Sequence, residues 1–274
     1  MQREAMIAAV EQSPMAVAAG DKEAWLRMFS ELAVIEDPVG SAAHVSGVFD
    51  VKSGRRSNDV LSRFYDAFIE GNRIEFLIDQ DYVVGNRVLR DLALKLEVNG
   101  MQATVPMHLM YELVLEKAEF KVQRLSAHWE FFPMSRQMMS SNKGGMLGYS
   151  RRLLKELGFT GVMGFMRAVR SVGETGKQTV IQFVGANNSS QLSAIESLFD
   201  TKARGITSPA DSSFVTPRQF LSQELQLTAS KLISAGNRVS CSLQIQRGEE
   251  LSSGAALFEF NWKTRKLDSV SLFY

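Results

Sequence analysis

The residues able to do chemistry in this chain are few. Three histidines, His44, His108 and His128, and one cysteine, Cys241, are spread over 274 residues. The histidine spacing fits no standard metal motif. No glycine-rich loop is built to cradle phosphate; Gly158, Gly161 and Gly164 read as helix-packing or helix-breaking positions. No Ser-His-Asp set stands out, and Cys241, on an expected strand, reads as inert core. The sequence therefore calls for no metal and no cofactor. What remains is a carboxylate in an unusual setting, Asp37 within Val34-Ile35-Glu36-Asp37-Pro38-Val39-Gly40-Ser41. Pro38 disfavours helix at Asp37. Asp, Pro and Gly are all turn formers, so the run is either a plain turn or a turn that aims a carboxylate. Two further polar residues carry the same double reading. His108, on an apolar strand, is either satisfied by a neighbour such as Glu112 or Tyr111 or is a hydrogen-bond donor. Tyr65 is either one of several core aromatics or a donor.

The elements that would position these groups are legible. Glu4 to Ala19 is helical in pattern, and Pro14 inside it predicts a kink or break. Gly20-Asp21 is a stop followed by an N-cap, and a second helix is expected over 21–32, with Trp25, Met28, Phe29 and Leu32 on one face. A loop follows from Glu36 to about Ser57, where Ser57 or Asn58 caps a third helix bearing Leu61, Phe64, Tyr65, Phe68 and Ile69 at helical spacing. The period then changes to two. Strands are expected near 74–84, 87–98, 103–116 and 119–131, with Asn99-Gly100 as a hairpin turn. Helices followed by an antiparallel meander define an α+β module. The strand from Thr104 to Leu115 is apolar on both faces, so the sheet needs a second cover, for which the sheet of another copy is a candidate.

Internal similarity supports another copy in the same chain. Gly85-Asn86-Arg87-Val88 recurs as Gly236-Asn237-Arg238-Val239. In matching order, Tyr111-Glu112-Leu113 answers to Phe258-Glu259-Phe260, and Ala24, Met28 and Phe29 answer to Ala194, Leu198 and Phe199. The expected division is a module over 1–131, a helical connector over 132–176, and a diverged second module over 177–274, the two modules pairing as an intramolecular pseudo-dimer. The connector is rich in methionine, an adaptable packing residue. It reads as two helices packed on the body, as a lid over a pocket, or as a membrane-surface contact.

Composition bounds the function classes. Hydrophobic residues at 45% and charged residues at 22% suit a globular core rather than disorder. Lys plus Arg total 31 against 30 Asp plus Glu, so the overall balance makes no case for nucleic acid or an anionic surface. A single cysteine excludes an intramolecular disulfide and fits a reducing compartment. The N-terminal residues do not read as a signal peptide. The most apolar stretch, from Leu153 to Val172, is interrupted by Lys155, Glu156, Arg167 and Arg170, so no transmembrane segment is expected. The simplest location is cytoplasmic.

The Glu-Asp-Pro-Val-Gly-Ser run, the Ala19-Gly20-Asp21 break before it and the Phe64-Tyr65 pair after it resemble the ketosteroid-isomerase family of the SnoaL-like, nuclear-transport-factor-2-like superfamily. The resemblance covers residues 5–131 directly and 177–274 through the repeat. It implies a curved, cystatin-like antiparallel sheet wrapped by helices, forming a cone around an apolar pocket. By the same resemblance Asp37 is the general base, moving a proton beside a carbonyl, with two donors holding the enolate oxygen. The family's helix-1 tyrosine falls near Ser13, which is too short to replace it. The family's protonated aspartate falls on His108, and Tyr65 supports the donor network. The implied pocket wall is Trp25, Phe29, Phe64, Phe68, Tyr82, Met110 and Trp129, around a small apolar ligand. The expected function is a cofactor-free isomerase, cyclase or dehydratase; the alternative is a ligand-binding or assembly protein of the same fold. At the position of Asp37-Pro38 the second copy carries Ser208-Pro209, so it lacks the base.

Overall fold

The computed structural model describes residues 2–47, 49–50, 55–56, 59–142, 144–207 and 213–274. It divides into two compact units, one of residues 1–81 and 86–169, the other of 82–85 and 170–274. In the first, α1 (Gln2–Ala19) and α2 (Lys22–Arg27) lead into β1 (Phe29–Glu36). Short strands β2 (His44–Val45), β3 (Phe49–Asp50) and β4 (Arg55–Arg56) precede α3 (Val60–Phe68). The long meander β5 (Arg73–Val84), β6 (Arg87–Val98), β7 (Met101–Glu116) and β8 (Glu119–His128) follows, and then α4 (Phe131–Ser141) and α5 (Gly145–Met166). The second unit repeats the plan with α6 (Gly173–Asn188), α7 (Leu192–Leu198), β9 (Gly205–Thr207), β10 (Phe214–Val215), α8 (Pro217–Leu221), β11 (Gln226–Ala235), β12 (Arg238–Arg247), β13 (Glu250–Phe260) and β14 (Leu267–Phe273).

The duplication is present in the topology. One sheet runs β2-β1-β8-β7-β6-β5 and the other β10-β9-β14-β13-β12-β11, strand for strand the same order. In each, the first main strand lies parallel to the last, β1 to β8 and β9 to β14. The meander pairs β6–β7 and β7–β8 are antiparallel as expected, and the parallel pairing of β1 with β8, unforeseen from sequence, makes the sheet mixed. The expected α+β class holds: each unit is a sheet with its own helices.

The Gly-Asn-Arg-Val repeat has a physical purpose. The Asn86 side-chain amide donates to the Leu113 carbonyl at 3.0 Å, and the Leu113 N–H donates back to the Asn86 carbonyl at 2.9 Å. Asn237 holds Phe260 in the same way, at 2.9 and 2.8 Å. Each clamp sits at an irregularity in the sheet, between Glu112 and Leu113 in one and between Glu259 and Phe260 in the other. A strand that shifts register there leaves backbone groups to be satisfied, and the asparagine supplies the partner. The motif's arginines stand opposite the same two acids, Arg87 across from Glu112 and Arg238 across from Glu259. The preceding glycines, Gly85 and Gly236, both have positive φ, at 61° and 55°.

Several local expectations change. The helix expected over 21–32 ends at Arg27, although Asp21 caps its start by accepting from the Ala24 N–H at 2.8 Å. Phe29 onward is strand β1, because pairing with β8 outweighs helical spacing there, and Leu32 faces solvent. Pro14 does not break α1, which runs through it with Met6, Val10, Ser13 and Ala16 buried along one side. Burial of that face offsets the hydrogen bond that proline removes. Asp59 occupies the N-cap position of α3; Ser57 and Asn58 lie outside the described residues. The Asn99-Gly100 turn is as expected, with both residues at positive φ.

Residues 132–169 belong to the first unit. Helix α4 takes over where β8 stops pairing with β7. Gln137 Oε1 accepts from the Thr104 N–H at 2.9 Å, and Ser141 Oγ from the Gln102 N–H at 2.8 Å. These side chains cap a sheet edge that would otherwise be open. Replacing Asn86 or Asn237 by alanine should each cost about 1–2 kcal/mol. Hydrogen exchange should show the loss confined to β7 for Asn86→Ala and to β13 for Asn237→Ala.

Candidate active site

Strand alternation sorts the side chains of the first module. Val105, Met107, Leu109 and Tyr111 of β7 turn toward the helices, with Leu94, Leu96 and Val98 of β6 and Leu125 of β8. Together with Ser13 and Val17 of α1, Trp25 of α2, and Phe64 and Phe68 of α3 they enclose a cavity of about 110 Å³. Met134 of α4 and Tyr149 and Phe165 of α5 complete the wall. The lining is mostly apolar. Asp37 stands in it.

The sequence around Asp37 fixes where its carboxylate goes. Ile35 and Glu36 pair in parallel with Leu125 and Ser126 of β8. The chain then turns through a cis Asp37-Pro38 bond. The Val39 N–H donates to the Ala127 carbonyl at 2.8 Å and the Gly40 N–H to Glu36 Oε1 at 3.1 Å. Two adjacent parallel strands thus deliver Asp37 and Trp129 to the same end of the sheet. The Trp129 indole N–H donates to Asp37 Oδ1 at 2.6 Å, a short charge-assisted bond. Burial pushes the Asp37 carboxyl up from 3.8 to about 6, against the pull of the Trp129 bond, which lowers it.

A second polar corner lies on the same cavity. Burial raises the Tyr111 phenol to about 12, although the nearby Arg90 cation lowers it, so it stays a donor at neutral pH. Ser13 stands beside the hydroxyl but not at full hydrogen-bond geometry. The Tyr111 hydroxyl is therefore buried without a geometrically sound partner among the described residues. Behind it Arg90, fully buried, forks onto Asp81 with two bonds of 2.8 Å and reaches Glu11 Oε2 at 2.7 Å. Tyr149 shares the site: burial, and then the charge of Asp37, hold its phenol above the ordinary value.

The cover is anchored. Arg152 of α5 donates to the Asp66 carbonyl at 2.9 and 2.6 Å, to the Glu70 carbonyl, and to Asn72 Oδ1 at 3.1 Å. These include carbonyls that the end of α3 leaves unpaired, where a cation is favoured. Gly164 packs so closely on Ala42 that an added Cβ would sit 2.7 Å from the alanine's own, and the Gly164 carbonyl accepts from the Ala42 N–H at 3.0 Å. Phe165 packs between Phe68 and Phe131, at 5.3 and 5.6 Å between ring centres.

Of the residues singled out from sequence, Asp37, Trp25, Phe64, Phe68 and Trp129 line the cavity together. His108 and Met110 do not. They fall on the other face of β7, because a strand's side chains alternate and Leu109 faces inward. His108 is fully buried there, its Nε2 3.6 Å from Asp91 Oδ1. Tyr65 is buried one step round α3 from Phe64, against Trp25, and does not reach the cavity. Phe29 packs behind Trp25 at 4.7 Å, and Tyr82 is buried in β5 outside the lining. Among the described residues no cluster of three metal-ligating side chains occurs, and no helix is long and apolar enough to cross a membrane.

Tyr111 and Tyr149 were missed. The repeat carried one usable signal. Counting back eight residues from the helix N-caps Asp21 and Gln191 pairs Ser13 with Phe183. Counting back two from the clamped Leu113 and Phe260 pairs Tyr111 with Phe258. In the second module Phe183 and Phe258 pack edge to face, with ring centres 5.3 Å apart. The Ser13–Tyr111 corner of the first module is thus an aromatic contact in the second, where Phe199 and Phe220 pack on the same ring. Ser208 lies outside the described residues.

No family model and no curated protein sequence matches the chain. It is similar to several solved structures. A ketosteroid isomerase from Mycobacterium sp. shares 28% identity over 46% of this chain and 92% of that one, with a TM-score of 0.37. A Mycobacterium tuberculosis protein in complex with estradiol-17beta-hemisuccinate shares 24% over 47% and 96%, with a TM-score of 0.38. An epoxide hydrolase of the same organism shares 14% over 53% and 97%, with a TM-score of 0.39. Each match spans about half of this chain and nearly all of the other.

Asp37 costs stability when ionised. Its folded value lies above its unfolded one, so the folded state holds the proton more tightly. Well below pH 3.8 the carboxyl is neutral in both states. The cost grows between pH 3.8 and about 6 and is full above that. Asp37→Asn should therefore stabilise the protein by up to about 3 kcal/mol at pH 7.5 and by almost nothing at pH 3.5, read as thermal midpoints at the two pH values.

Proposed function

We propose that the first module transfers a proton beside a carbonyl group of a small, mostly apolar ligand. Asp37 takes the proton from carbon and returns it to the same or a neighbouring carbon. Tyr111 donates to the oxygen that gains charge as the proton leaves. Trp129 holds the carboxylate in place. The observation that carries this reading is a carboxylate raised to about 6 in an apolar cavity that also holds a buried, under-bonded phenol. A base tuned toward neutrality is strong enough to deprotonate and is still ionised at pH 7. The cavity sets the ligand size. About 110 Å³ is well below the roughly 300 Å³ and more of sites for drug-sized ligands and nearer the ~150 Å³ cavity that accepts benzene. A single-ring ketone or enone is the class that fits. The chemistry uses only side chains of this chain.

Deuterium uptake by a panel of small cyclic ketones and enones in heavy water tests the reading. The wild-type protein should catalyse exchange with a rate that climbs as pH approaches about 6 and then levels. Asp37→Asn should remove it, and Tyr111→Phe should lower it by about a hundredfold to a thousandfold. Trp129→Phe should move the rise to higher pH, because the bond it deletes favours the ionised acid. Exchange undiminished in Asp37→Asn would remove the base from the mechanism. Asp37→Asn that binds a ketone normally, with no exchange by the wild type, would instead favour a binding protein.

Ser13→Phe gives an independent check on the cavity. The phenylalanine should fill the polar corner as Phe183 does in the second module. The folded protein should keep its thermal midpoint within a few degrees and lose ligand binding by calorimetry.

A further inference from the structure

Helix α5 carries a run of large apolar side chains in solvent. Leu147, Leu154, Phe159, Met163 and Met166 are all exposed in the whole chain, Phe159 by 74%. Large side chains grouped in this way mark an interaction surface rather than a solvated face. Arg151 and Lys155 are interleaved with Leu147 and Leu154 at helical spacing, so basic and apolar groups share one side of the first arm. Gly158, with φ 67° and ψ 175°, breaks the helix, and Phe159, Met163 and Met166 line the second arm, followed by exposed Arg167.

Charge decides what covers this face. From Phe131 to Arg170 the sequence carries seven basic residues and one acid, Glu156, which pairs with Lys155. The whole chain is balanced at 31 against 30, so the positive charge is concentrated here and hidden in the total. An apolar face studded with arginine and lysine, on a helix lying along the body, has the make-up of an interfacial helix.

We propose that α5 docks on an anionic lipid bilayer surface. Leu154, Phe159 and Met163 enter the boundary between headgroups and acyl chains, while Arg151, Lys155 and Arg167 reach lipid phosphates. The inner side of the same helix carries Tyr149 and Phe165 on the cavity wall, so docking sets the cavity against a phase that concentrates apolar ligands. The docking itself does not depend on the chemistry assigned to Asp37.

Flotation of the full chain with vesicles tests it. The protein should float with phosphatidylcholine vesicles holding about one-third phosphatidylglycerol and not with phosphatidylcholine alone, and high salt should release it. Arg151→Ala with Lys155→Ala should weaken binding about 25-fold, from roughly fivefold per basic residue. Phe159→Asp should abolish it, and Phe159→Trp should show a blue-shifted emission only with the anionic vesicles. All three positions are exposed, and circular dichroism verifies that the variants fold. Absence of flotation with anionic vesicles overturns the proposal, as does equal binding by the double alanine variant. Self-association that Phe159→Asp removes, without vesicle binding, assigns the face to a second copy of the chain and overturns it too.

Discussion

A carboxylate among aromatic rings needs a donor, and in the first module that donor is the indole N–H of Trp129, 2.6 Å from Asp37. Much of the site follows from that one bond. It exists because β1 and β8 run parallel and end together, so the β1–β8 register cannot slip without parting acid and indole. The turn after Asp37 is tied to β8 through Val39 and back to β1 through Gly40. The chain leaving Trp129 becomes α4, which caps the open edge of β7 and contributes Met134 to the wall. Removing water raises the cost of the charge and its usefulness together: what destabilises the ionised acid also makes it a stronger base.

The second module shows what the same plan becomes without that demand. Its order of strands and its asparagine clamp are kept. Phe183 occupies the place of Ser13, and Phe258 that of Tyr111. Aromatic packing there contributes cohesion where the first module holds a buried hydroxyl without a sound partner and a carboxylate away from bulk water. The clamp was retained in both copies because a shifted strand leaves backbone groups unpaired whatever fills the core.

The strands, the Asn99-Gly100 turn and the repeat were legible because each is a local pattern: a period of two, a dipeptide, an ordered match. Asp37 was legible through the residues around it. His108 was not, since the resemblance fixes a position along β7 but not which face it meets. One residue of offset separates Met107 and Leu109, which line the cavity, from His108, which does not. Strand β1 was hidden for a related reason: Trp25, Met28, Phe29 and Leu32 satisfy a helical stripe, and only β8, some ninety residues away, makes Phe29 onward a strand. The part played by α4 and α5 is tertiary altogether. No pattern within Tyr149 or Arg152 announces that one meets an acid and the other the end of α3.

Arg152 has a mechanical consequence. Its guanidinium spreads over the carbonyls of Asp66 and Glu70 and the amide of Asn72, so lifting α5 from α3 breaks several charge-assisted bonds in one event. Tyr149 and Phe165, on the same helix, line the cavity, so that part of the wall cannot swing away while the Arg152 bonds hold.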